Sequence, residues 1–288
     1  MSRKRQSGQV DPVGDRRAAV IALAREYAAG HVIASHVHDR DQLVYASHGV
    51  MTVRSRAGAW VVPPHRAVWV PAAVPHTVTM SGAVAMRTLY LRRQLATSLP
   101  RACCVLNVSP LLRELLLHAC AATALSHRTP WQRHLIDVIL DQLQTVQTVQ
   151  LQLPTPSDPR ALRTAELLLA TPDERRPLHQ ICRAVGASER TLERLFQDEV
   201  GMTVGKWRQQ ARLLHALRLL AEGAKVTHAA SEAGYSTPSA FIHMFRRSLG
   251  TTPTRYFTPG GRAARRATDR PASASNSTPR IRRDSRRR

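Results

Sequence analysis

No stretch of these 288 residues approaches the ~18 consecutive apolar residues of a membrane span. The N-terminus also lacks the apolar core of a secretory signal, so the cytoplasm is the expected compartment. Cysteine is scarce: Cys103, Cys104, Cys120 and Cys182 form no C-x-x-C pair and no zinc-finger spacing. They read as reduced, mostly buried thiols. Acidic residues are few, 20 against 42 Lys and Arg, which leaves a net charge of +22. Of that excess, +3 falls within residues 1–17 and +8 within 258–288, so half of it is terminal. The Arg-, Ser- and Pro-rich tail 258–288 has no hydrophobic periodicity to offset ordering entropy, and disorder is expected there and in the basic stretch 1–17. The C-terminal tail is expected to add salt-sensitive, sequence-independent attraction to DNA.

From Tyr27 to Leu91, short β-branched runs at 31–36, 43–46, 50–54, 60–62, 67–70, 77–79 and 83–91 are broken by Gly and Pro. This pattern predicts a small all-β barrel or sandwich. Leu-rich helical spacing follows, with Leu111, Leu112, Leu115 and Leu116, then Leu135, Ile136, Ile139, Leu140 and Leu143, separated near Pro130. Pro154, Pro156 and Pro159 then mark a linker, because three prolines in six residues cannot continue a helix. The expected organisation is a sheet domain at 18–100, a helical segment at 101–152, a linker at 153–159 and an all-helical domain at 160–257.

Within that last domain the chain repeats itself at an offset of 49 residues. Leu192, Phe196, Gly201, Thr203 and Trp207 are echoed by Phe241, Phe245, Gly250, Thr252 and Tyr256. Each copy places an i,i+4 apolar pair on one helical face and a Gly where the helix should stop. Each also has a shorter helix in front, at 178–185 and 226–233, followed by a turn at Gly186 or Gly234. Ser188 and Thr237 are placed as N-caps. An amphipathic stretch at 204–222 connects the two units and, as a helix, is about 28 Å long. Two duplicated helix-turn-helix units that read adjacent major-groove segments are the reading this pattern supports.

Ala230-x3-Gly234-Tyr235-x3-Ser239-x-Phe241-x3-Phe245-Arg246-x3-Gly250-x-Thr252-Pro253-x2-Tyr256 resembles the DNA-binding domain of AraC/XylS-type transcription regulators. His243 and Phe257 stand where that family usually has Arg. By family position, Arg190, Glu193 and Arg194 would face bases in the first unit, and Pro238, Ser239, Ile242 and His243 in the second. Arg can fork onto guanine O6 and N7 and Glu can accept from cytosine N4, whereas Pro and Ile offer only apolar contact. The first unit is expected to dominate sequence readout.

In the N-terminal half, Gly30-x5-His36-x-His38-x3-Gln42-x6-Gly49 and Pro71-x-Ala73-x2-His76 resemble the two cupin motifs, with Gln at the usual Glu position. His36, His38 and Gln42 would share one face of a continuous strand, with His76 on a neighbour. Two readings stand for these four residues: a divalent metal site with a weak neutral amide ligand, or the polar lining of a ligand pocket. The resemblance implies an α+β multidomain chain, a cupin-like barrel with following helices joined to an all-α domain of two helix-turn-helix units. It also implies a regulator of promoter DNA, more often an activator that engages RNA polymerase, whose first domain senses a small-molecule effector or metal. Helices after the barrel often form a homodimer in such proteins, and 135–143 is the candidate stripe; packing on its own barrel is the other reading. The alternatives are a cupin oxygenase or isomerase fused to a DNA-binding module, or a sequence-neutral DNA binder. No additional acid, base or nucleophile constellation supports an enzyme in residues 18–100.

Overall fold

A computed structural model of the chain describes residues 8–9, 17–145 and 151–257. The expected tail 258–288 and most of 1–17 lie outside them. Part of the N-terminal expectation is corrected, since β1 (Gly8–Gln9) pairs in parallel with His36 and Val37 instead of lacking structure.

Two long strands organise the N-terminal half. Strand β4 (Asp41–Ser55) and strand β7 (His76–Leu91) lie antiparallel along most of their length. Each changes its other partner midway. The first half of β4 pairs with β6 (Arg66–Val70) and the second with β5 (Gly58–Val62). Likewise β7 pairs first with β3 (Val32–Val37), then with β2 (Val20–Tyr27). Gly49 and Gly82, both with positive φ, sit at the changeovers, where one strand reads in sequence as two. Short strands β8 (Cys104–Asn107), β9 (Ala124–Leu125) and β10 (Gln152–Pro154) extend the edges beside β6, β2 and β5. Among the described residues the ten strands form one sheet that does not close into the expected barrel.

Alternation along the strands separates two cores. Leu43 and Tyr45 of β4 and Ala67 and Trp69 of β6 pack with helices α1 (Pro110–Ala122) and α2 (Pro130–Thr145). Their neighbours Val44, Ala46, Val68 and Val70 face the opposite core, as a period of two requires. Leu135, Ile136, Ile139 and Leu143 are buried in the first of these cores, so the candidate interface stripe is consumed within its own chain.

The second core runs on without a break into the C-terminal helices. These are α3 (Pro159–Ala170), α4 (Leu178–Val185), α5 (Glu189–Val200), α6 (Val204–Ala221), α7 (Val226–Glu232), α8 (Pro238–Leu249) and α9 (Pro253–Phe257). The chain leaves the sheet at Pro154 and enters α3 at Pro159, with Asp158 accepting from the Arg160 amide as its cap. Glu199 of α5 accepts the Ser157 and Asp158 amides at 2.6 and 3.1 Å, which pins this short connection to the helical half. The Gly82 backbone meets the end of α6 so closely that a β-carbon would lie 2.5 Å from the Ala221 carbonyl oxygen.

Candidate DNA-reading face and buried histidine site

Both units are assembled by the residues the repeat singled out. Leu192, Phe196, Trp207, Phe241, Phe245 and Tyr256 are all buried, and the aromatic rings meet edge to face. Gly186, Gly201 and Gly250 take left-handed conformations at the ends of α4, α5 and α8. Ser188 caps α5 by accepting the Thr191 amide, and Thr237 caps α8 by accepting that of Ala240. Pro238 occupies the first turn of α8, where it has no amide hydrogen to lose. Helix α6, at 18 residues, spans about 27 Å between the units.

On α5, Arg190 and Arg194 are exposed. Among the described residues Arg194 makes a surface pair with Asp198, at 3.3 Å, which costs little to exchange for another anion. Glu193 is different: it is half-buried and its carboxylate accepts the Val204 amide at 3.1 Å, supporting the first turn of α6. On α8, Pro238, Ser239 and His243 are exposed, while Ile242 is partly packed into the core. The sequence reading missed two further arginines. Arg208 and Arg212, one turn apart on α6, donate to backbone carbonyls of the loop between α3 and α4, Arg212 to Pro172 at 3.0 Å and to Glu174 at 2.7 Å. They fix that loop against the connecting helix, and their i,i+4 spacing was the only sequence signal for the role.

The four N-terminal polar residues converge, but not on one continuous strand. His36 lies on β3, His38 in the connection, Gln42 on β4 and His76 at the start of β7, cross-strand from His36. All four are buried, and one ring nitrogen from each histidine lies within 4.8 Å of the others. Each Nδ1–H donates to a backbone carbonyl: His36 to Ala34 at 2.8 Å, His38 to Arg40 at 2.5 Å, His76 to Val74 at 2.9 Å. A carbonyl can only accept, so the protons are fixed on Nδ1 and each Nε2 presents a lone pair.

The orientation of Gln42 is fixed in the same way. The Thr88 hydroxyl donates to the Leu43 carbonyl at 2.9 Å and therefore accepts from the Gln42 amide NH2 at 3.0 Å. This turns Oε1 toward the Nε2 atoms of His38 and His76, at 2.9 and 3.1 Å. Burial lowers the pKa of His38 and lowers that of His76 to about 4, so these two rings are neutral at neutral pH. Acceptors thus face acceptors at hydrogen-bond distance with no proton between them, an arrangement that a bound cation relieves. The set fits a divalent ion with three imidazoles and one amide oxygen. Thr88 gave no sequence signal, being one threonine in a strand.

Residues 18–204 match the AraC-like ligand binding domain, and residues 181–258 match a helix-turn-helix domain. The chain belongs to the AraC family of transcriptional regulators. It is 37% identical over 221 residues to the HTH-type transcriptional regulator NimR of Escherichia coli, covering 77% of this chain and 81% of that protein. It is 24% identical over 235 residues to the virulence regulon transcriptional activator VirF of Yersinia enterocolitica, covering 76% and 82%. Among solved structures, the DNA-binding domain of AdpA in complex with a target DNA matches at 30% identity and a TM-score of 0.33, covering 35% of this chain and 91% of that one. For an AraC-family chain, the helical half is the DNA-binding part and the sheet half the ligand-binding part.

Proposed function

We propose that this regulator reads its promoter mainly through α5, with Arg190 and Arg194 on base edges, and uses α8 to position the protein. The observation that carries the reading is the contrast between the two faces. Two exposed guanidinium groups on α5 can fork onto guanine. Pro238, Ser239, Ile242 and His243 on α8 offer a proline, a half-packed isoleucine and two short polar groups. Contacts of that kind suit phosphate positioning and shape. Glu193 acts behind this face, as the buttress of α6.

His36, His38, His76 and Gln42 hold a divalent metal in the sheet domain, which makes that domain the sensor. The weak amide ligand leaves the ion exchangeable and more positive, properties that suit sensing. The protein acts in the cytoplasm as an activator that engages RNA polymerase. It does so as a homodimer through the exposed apolar residues Leu111, Trp131 and Val138 of α1 and α2. Metal analysis of the purified chain, followed by footprinting on promoter fragments with and without the ion, tests this. A stoichiometric metal that changes the footprint supports the sensor. Less than a tenth of an equivalent after loading removes it and leaves the DNA reading standing.

A further inference from the structure

The chain passes from the first reading unit to the second through α6, and the joint at the end of that helix is open. Helix α6 ends at Ala221 and α7 begins at Val226. Between them Gly223 has a φ of +90°, with no atom within 4 Å of the place a β-carbon would take. Leu217 and Ala230 share the core that crosses this joint. Apolar contact is non-directional, so it defines the angle between the units less sharply than hydrogen bonds do.

One side chain supplies that direction. Arg212 of α6 is half-buried, with its guanidinium between the two units. On the side of the first unit, Nε donates to the Pro172 carbonyl at 3.0 Å and one terminal nitrogen to that of Glu174 at 2.7 Å. On the side of the second, the same nitrogen lies against the turn between α7 and α8, 2.6 Å from where a β-carbon on Gly234 would stand. Gly234 has a φ of +72°, and the Asp173 Cα of the first unit's loop comes within 3.0 Å of that same point. The next residue, Tyr235, has its ring 6.0 Å from the guanidinium carbon and packs on Phe241 of α8 at 5.5 Å between ring centres. A planar cation thus bonds the loop of one unit and occupies the space that a side chain at 234 would need in the other. Arg208, one turn earlier, differs: among the described residues its hydrogen bonds go to the loop alone, at Glu174 and Arg176.

Successive major-groove segments on one face of DNA lie about 34 Å apart. Each base pair added between them turns the second by about 34° and moves it by about 3.4 Å. Two units held at one angle meet one spacing, whereas loosely joined units meet several. We infer that Arg212 is a specificity-determining positioning residue: it fixes α8 relative to α5 and so makes binding depend on the number of base pairs between the two segments contacted. The inference rests on both units touching DNA, and it depends neither on which of them reads the bases nor on the histidine site.

The probe is the duplex that the full chain selects most tightly from a randomised pool, with versions carrying one or two base pairs more or fewer between the two footprinted segments. The parent should lose at least about tenfold in affinity for a change of one base pair. Arg212→Met keeps the stem and removes the donors; it should bind the original duplex more weakly and lose less than about threefold on the altered ones. Gly234→Ala displaces the guanidinium from the opposite side and should flatten the spacing profile in the same way, while Arg212→Lys should recover part of it. Arg208→Met loosens the loop and should keep the parent's profile. The readout is a ratio of affinities, which a general loss of stability leaves unchanged because it weakens every duplex alike. A flat profile in the parent, a steep one kept in Arg212→Met, or equal flattening in Arg208→Met overturns the inference. A parent footprint with a single protected segment overturns the two-unit reading itself, and the inference falls with it.

Discussion

Trp207 and Tyr256 are equivalent residues of the two repeated units, and each donates a hydrogen bond to a proline carbonyl in or beside the sheet. The Trp207 indole reaches Pro154 at 2.9 Å and the Tyr256 hydroxyl reaches Pro64 at 2.9 Å. Burial pushes the Tyr256 phenol up to about 12, so it remains a donor throughout the physiological range. The residues that close each helical unit therefore also dock it. Tyr256→Phe keeps the ring packing and removes one such bond, so it should cost about 1 kcal/mol. Thermal unfolding reads this directly, and the Phe substitution at Trp207 should add to it nearly independently, since the two bonds share no partner.

Gly82 sets how closely the halves approach. With φ of +72° and a would-be β-carbon 2.5 Å from the Ala221 carbonyl, Gly82→Ala meets backbone, which cannot swing aside. The seam should open where the shared core passes from the sheet to α6. Limited proteolysis should then cut the connection at 155–158 faster than in the parent chain. Unchanged cleavage would mean that the contact does not restrain the halves.

Metal affinity should respond to Thr88, although it would touch no ion. Thr88→Val removes the hydroxyl that aims the Gln42 oxygen inward, and loss of a supporting partner of this kind costs about 10- to 100-fold in affinity. Gln42→Glu should act in the opposite direction by supplying an anionic ligand. Competition with a chromogenic chelator measures both.

Acid stability should depend on Glu174. Its carboxyl is held down to about 2, first by the side-chain hydrogen bond from Arg176 and then by that residue's amide. A depressed folded pKa gives stability that is present above the unfolded value near 4.5 and is lost as pH falls toward 2. Glu174→Gln should therefore be less stable than the parent at neutral pH, with the difference closing between pH 4.5 and pH 2. Denaturant titrations across that window would show it, and parallel curves would contradict it.

The helical half was legible residue by residue, because a duplicated pattern of buried aromatics, caps and left-handed glycines is local information. Expected helices at 178–185 and 204–222 appear as Leu178–Val185 and Val204–Ala221. The sheet was less legible. Strands β4 and β7 pass through Gly49 and Gly82 without ending, because long-range pairing overrides the local break. Strand β2 was not anticipated: its first residues are buried in a continuous run, without the alternation that marks a half-exposed strand. His36, His38, Gln42 and His76 were found by motif, but the proton geometry that unites them depends on backbone carbonyls and Thr88. Glu193 shows the reverse case, a position that the family resemblance implies for DNA and whose carboxylate supports α6.

Unequal reading of DNA by the two helical units is the central claim. Selection of bound sequences from a randomised DNA pool, with the parent chain, Arg190→Ala, Arg194→Ala and His243→Ala, tests it most directly. The arginine variants should each lose preference at a discrete cluster of positions, at about 1–3 kcal/mol per base contact, while His243→Ala should weaken all sequences alike. Unchanged preference in both arginine variants, or loss of preference confined to His243→Ala, would contradict the assignment of sequence reading to α5.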